Sequence, residues 1–395
     1  MDVLSPQGSL LTRLDSLVAR LGQARKAVAD GAQNARLKKG IGDDLARRLG
    51  ERIDALNKQR SKIANGSPAA TNWKGTKSEG AESLLDESLL YLQAARARGP
   101  NADLDLCEIA DAMFGEFAKA AGLEWNSFSV FAATDTFDAK TQVIRVRYPL
   151  SDIWDLPVGM HEFGHFLSSR LRQQRPDGSA FLPFQEHKDL FVPPKNDAGE
   201  ELRRGVNWRA QVEEIFADVC AAYAGGPAFA YSCLLVRFDP AAANERSDAE
   251  HPTYAERAYA ILQTLARRNN EDPGRNGLAT IIERLDQCWQ GACVAAESPV
   301  QIGADYQKWL GGQVSALYGM LKSGAGGLRF SRWESAAQKL QWLEESQPPS
   351  STGDFSIAEL LNTAWMCRAK ANNKPKRISE NFIKLALTKR KPYDE

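Results

Sequence analysis

The stretch Met160-His161-Glu162-Phe163-Gly164-His165-Phe166 sets the reading of the whole chain. It spells His-Glu-x-x-His. Residues four apart lie on one face of a helix, so His161 and His165 can aim both imidazoles at one metal ion. Glu162 is turned to the side, where its carboxylate can act on a water at that metal. The chain has only four histidines in 395 residues: His161, His165, His187 and His251. At that composition chance gives on the order of 0.003 such motifs per chain.

Two histidines do not make a catalytic site, which needs a third protein ligand and an open position. The downstream run Gln211-Val212-Glu213-Glu214-Ile215-Phe216-Ala217-Asp218 supplies candidates. Glu214 and Asp218 are one helical turn apart. Glu214 is the expected ligand, because Asp218 on the same face can accept the distal N–H of a ligand histidine and fix its tautomer. Glu213 is the competing ligand. Ala217 is small, which lets this helix approach the motif helix closely.

Together, His161-Glu162-x-x-His165 and Glu214-x-x-Ala217-Asp218 resemble the gluzincin branch of zinc metallopeptidases. His251-Pro252, then Glu256-Arg257 and the apolar run from Tyr259, is similar to a segment of the prenyl-protein and heat-shock zinc endopeptidases. The resemblance covers about residues 140–265. It implies one Zn²⁺ per chain on His161, His165 and Glu214, with Glu162 as general base in peptide-bond hydrolysis. It also implies substrate or transition-state contacts from His251, with Tyr254 and Arg257 behind it. His251-Pro252 reads equally well as an ordinary helix start. Two features depart from those relatives. The chain lacks their membrane-spanning helices, and the 48 residues between His165 and Glu214 hold a large insertion.

Outward from this core, the expected class is α+β and predominantly α-helical, with a small sheet or hairpin on the motif helix and helical segments at both ends. Residues 1–65 read as a helical hairpin arm, with Leu10, Leu14, Leu21 and Leu45, Leu49, Leu56 at helical spacing. Residues 66–80 are a linker by composition, and 81–346 form the core with an irregular, lid-like insertion at 174–207 that contains His187. Residues 347–354 are a second linker, and 355–395 a small basic helical segment. Ser127–Ala132 and Gln142–Tyr148 read as two strands joined by the polar turn 134–140, a hairpin. The strand from Val143 could accept a substrate peptide as an added strand. Ser151-Asp152 offers a cap for the motif helix.

Composition excludes little. The hydrophobic fraction is 43%, the charged fraction 25% and the net charge zero. Residues 1–65 carry 13 Lys/Arg against 7 Asp/Glu, and residues 366–395 carry 9 against 3. These basic ends suit a protein partner, above all at the N-terminal hairpin. No aromatic-interleaved basic patch points to nucleic acid. Six scattered cysteines suggest reduced thiols and a cytoplasmic protein. The uncharged run Val219–Val236 is split by Gly225-Gly226-Pro227, which predicts two buried helices around a break rather than a membrane span. The expected activity is zinc-dependent endoproteolysis of a selected protein. The alternative is a non-proteolytic zinc-containing regulatory or binding module.

Overall fold

The computed structural model describes residues 5–33, 39–65, 81–96, 105–125, 129–132, 136–138, 143–147, 153–175, 177–186, 188–196, 198–203, 205–271, 277–330, 343–344, 355–369 and 374–388. Both linkers, most of residues 331–346, the Ser151-Asp152 cap and His187 lie outside the described residues.

The protein is α+β and predominantly helical. Helices α1 (Pro6–Gln33), α2 (Lys39–Ala64) and α3 (Ala81–Arg96) form a bundle with its own apolar core. Leu10, Leu14, Leu21 and Val28 of α1 recur every three to four residues, so they share one stripe. They bury against Leu45, Leu49, Leu56 and Ile63 of α2 and Leu85 of α3. Ala292 and Ala296 close the same cluster, so the hairpin is docked rather than a free arm. Much of its basic surface is matched by acids: Arg60 pairs with Asp15, and Arg48 with Asp44 and Glu87.

The larger core gathers α4 (Asp105–Ala120), a three-stranded sheet and the remaining helices. The strands are β1 (Ser129–Ala132), β2 (Thr136–Asp138) and β3 (Val143–Arg147), in the order β1-β3-β2. Here the expected hairpin is corrected. β1 runs parallel to β3, with Ser129 opposite Ile144, and the antiparallel partner is β2, with Phe137 opposite Ile144. β2 lies inside what reads as a polar turn, and three residues are too few to show a strand period. β3 is therefore central, flanked on both sides, and is not the strand to which a peptide could add. β1 and β2 are the edge strands of the described sheet, and β2 is the one whose residues line the cleft beside the motif helix.

The motif helix α5 (Gly159–Ser168) follows a buried 3-10 turn, Leu156–Val158, directly, with no side-chain cap. Its back face is held by rings: Phe163 packs on Phe114 and Phe117, Phe166 on Trp125, and Phe137 of β2 meets Phe166 edge-on at 5.9 Å. The insertion is built from short pieces. Strands β4 (Gln173–Gln174) and β5 (Ala180–Phe181) pair, α6 (Pro183–Glu186) follows, and Phe184 inserts against Phe216 at 4.5 Å.

Helix α7 (Trp208–Gly225) opens on Asn207, whose side chain accepts from the Ala210 N–H. It stops at Gly226, which has φ 62°. A side chain there would also meet the Phe330 ring at 2.6 Å, so only glycine fits. Pro227 starts α8 (Pro227–Ser232), which passes into a π turn, Cys233–Arg237. The expected break in the uncharged run thus falls where the glycines stand. No helix among the described residues is long and apolar enough to cross a membrane.

Helices α9 (Tyr254–Glu271), α10 (Ala279–Ala295) and α11 (Ala304–Gly324) complete this core, α9 and α11 packing on α7 and α10 on α9. The C-terminal pair, α12 (Ile357–Ala369) and α13 (Pro375–Thr388), joins this core rather than standing apart. Buried Asn362 bridges the α7–α8 break, accepting from the Ala228 N–H at 2.8 Å and donating to the Gly225 carbonyl at 2.7 Å.

Candidate metal centre

Helices α5 and α7 cross where Gly164 meets Ala217. A Cβ on Gly164 would lie 2.6 Å from the Ala217 Cα, so the two backbones touch. That contact brings His161 and His165 of α5 against Glu214 of α7. The two histidine Nε2 atoms are 3.1 Å apart. Glu214 offers Oε2 to His161 and Oε1 to His165, each at 3.2 Å. Ligand atoms about 2.0–2.1 Å from a tetrahedral zinc stand about 3.3 Å from one another. The three side chains therefore match the spacing and the nitrogen–oxygen chemistry of a zinc site, and could hold the ion. His161, His165 and Glu214 are the one such group found among the described residues. Glu213 points elsewhere, pairing with Arg209 at 3.1 Å.

Asp218 is fully buried one turn beyond Glu214. Its Oδ1 accepts from His161 Nδ1 at 2.9 Å, which leaves Nε2 as the metal-facing atom. Arg257 binds the same carboxylate through two nitrogens, each at 2.8 Å. Its Nη2 also comes within 3.1 Å of His161 Nδ1. The guanidinium thus braces the carboxylate behind the ligand. Arg257 thus commits two of its nitrogens to Asp218 and also lines the cleft in front of the ligands.

The charges are coupled. Burial opposes ionisation of Glu214 and Asp218. Hydrogen bonds from both histidines outweigh it for Glu214, and Arg257 and His161 outweigh it for Asp218, so both carboxyls are held below their ordinary range. For His161, burial and the Arg257 charge favour the neutral ring. Asp218 and Glu214 prevail and raise it to about 10. Two buried carboxylates face one guanidinium, and a proton on His161 supplies the missing positive charge. A dication would do the same.

These groups line a cleft of about 700 Å³ together with Glu162, Thr136 and Phe137 of β2, Phe184 and Gln185 of the insertion, Cys233, Arg237, Phe238, His251 and Tyr254. Glu162 is buried to 6% exposure yet reaches this cleft. His251 is half-buried, with Nε2 3.7 Å from Glu214 Oε1. Its Nδ1 is held by Asp248 at 2.8 Å. Burial works against the Asp248 charge, but the backbone N–H groups of His251 and Glu250 and the His251 ring pull it down to about 2. Asp248 is absent from the sequence-based set of site residues. The Asp-x-x-His spacing in a polar loop was its only signal.

His251 does not cap α9. Thr253 does, in a reciprocal box: the Glu256 N–H donates to Thr253 Oγ1 at 3.2 Å and the Thr253 N–H to Glu256 Oε2 at 3.1 Å. Glu256 is further tied to Arg203 of the insertion at 2.5 Å. Tyr254 stacks on Phe238, with centroids 5.0 Å apart, as part of the cleft wall.

Compared with known proteins, the chain matches no family model, no curated protein and no solved structure.

Proposed function

We propose that the protein is a zinc-dependent endopeptidase acting on a protein or peptide partner. The observation that carries this reading is the convergence of His161, His165 and Glu214 at tetrahedral spacing, with Glu162 in the same cleft. Bound by these three ligands, zinc would supply a Lewis acid for the scissile carbonyl and lower the pKa of a water from ~16 to around 7.

The chain's own groups do the rest. Glu162 takes the proton from the attacking water and delivers it to the leaving amine. The imidazolium form of His251, whose Nδ1 donates to Asp248, donates from Nε2 to the oxyanion that forms at the carbonyl. Arg257 and Asp218 keep His161 in one tautomer through the cycle. The free edge of β2 offers main-chain groups to an extended substrate, which could lie as an added strand across the cleft. Cys220, Cys233, Cys288, Cys293 and Cys367 are buried and form no disulfide, which supports action in a reducing compartment, the cytoplasm.

The test is Glu162→Gln. The variant should keep one zinc per chain and lose cleavage of peptide substrates, while cleavage at the wild-type rate would refute the mechanism. A zinc-replete wild-type protein inert toward every peptide offered would favour the non-proteolytic module.

A further inference from the structure

Arg13 reaches from the N-terminal bundle to the wall of the cleft. Arg13 of α1 donates from Nη1 to the Val236 carbonyl at 3.3 Å, and from Nη2 to the carbonyls of Leu234, at 3.3 Å, and Phe238. These oxygens belong to the end of the π turn Cys233–Arg237 and the residue after it. The last carbonyls of a helical segment have no partner within it, and a cation is favoured there. Burial pushes the Arg13 pKa down to about 10, against the opposing pull of the nearby Asp239 charge. The turn matters because Cys233, Arg237 and Phe238 line the cleft. Phe238 in turn stacks on Tyr254 and lies under Arg257, whose guanidinium is 5.2 Å from its ring centre. Arg257 holds Asp218, and Asp218 holds His161. One guanidinium and one ring therefore connect helix α1 to the back of the metal ligands, across more than 220 positions of sequence.

We propose that Arg13 is a positioning residue and that the N-terminal hairpin, through it, fixes the π turn as the substrate-binding wall of the cleft. The proposal rests on the peptidase reading for its functional consequence, but not for its geometry. A π turn interrupts regular helical bonding and is frequent at functional sites. Here its carbonyls are gathered by a residue from a separate apolar core. The hairpin is then part of the cleft.

The test compares the wild-type chain with Arg13→Met and Arg13→Lys. Methionine keeps an unbranched apolar stem and removes the donors, while lysine keeps the charge but not the fork. Amide hydrogen exchange at 233–238, including the Phe238 N–H that bonds the Cys233 carbonyl, should quicken about tenfold or more in Arg13→Met. Arg13→Lys should fall between the two. Zinc affinity by chelator competition should stay within about twofold, because the ligands are untouched. For a cleaved peptide, KM should rise about tenfold with kcat within about twofold, as for a lost binding contact. Unchanged exchange at 233–238 would overturn the proposal, as would acceleration spread evenly over the chain, the mark of a merely structural residue. If Arg13→Met does not fold, Arg13→Lys carries the same comparison. A localised exchange effect in a protein that cleaves nothing would retire the peptidase reading and leave the brace standing.

Discussion

Replacing Gly164 by alanine adds one methyl at the crossing of α5 and α7. That Cβ would stand 2.6 Å from the Ala217 Cα and 3.0 Å from its carbonyl oxygen. Both are backbone atoms and cannot swing aside. Comfortable carbon–carbon contact begins at about 3.5 Å, so the helices must part by about 1 Å. His161 and His165 ride on one helix and Glu214 on the other, at edges of 3.2 Å. Parting the helices opens those edges toward about 4 Å, whereas zinc tolerates about 0.2 Å in its ligand distances. Overpacking of this kind costs about 1–3 kcal/mol, measurable by urea denaturation of the metal-free protein. Zinc affinity, read by chelator competition, should fall about 10–100-fold, comparable to losing an outer-shell partner. Gly22→Ala is the control: nothing lies within 4 Å of its Cβ position in α1, and the change should stabilise by about 0.5–1 kcal/mol. Wild-type zinc affinity in Gly164→Ala would refute the claim that this crossing sets the ligand spacing.

Zinc uptake should displace the proton on His161, whose pKa stands at about 10 in the metal-free protein. Below that value the proton competes with the metal, so zinc Kd should drop about tenfold per pH unit between about pH 7 and 9. Calorimetry in buffers of different ionisation enthalpy should record about one proton released. Asp248→Ala should leave zinc content unchanged and lower peptide kcat on the order of 100-fold, because His251 loses the group that aims it. Full kcat would remove His251 from the mechanism.

The candidate metal cluster was legible because each half of it is a local pattern. His161 and His165 are four apart on one helix, and Glu214 and Asp218 repeat that spacing on another. Ala217 signalled a close crossing, although its partner Gly164 sits unremarked inside the motif. The break at Gly226 was equally plain, since glycine and proline act on their own backbone. Tertiary contacts were harder to read. β2 is too short for a period, so a parallel pair with an inserted edge strand looked like a hairpin. The Arg257–Asp218 pair was not legible, because sequence order cannot say which face of α9 meets Asp218. Arg13 is one of many cations in a basic helix, and only the docking of that helix gives it a role. The Thr253–Glu256 box is local, and its Thr-x-x-Glu spelling was available to separate His251 from a capping function.

Metal analysis of the purified chain beside a peptide-cleavage assay tests the central claim most directly. The account predicts one zinc per wild-type chain with cleavage, zinc without cleavage in Glu162→Gln, and neither in Glu214→Ala. Cleavage by Glu162→Gln, or a folded Glu214→Ala that still binds zinc as tightly as wild type, would contradict it.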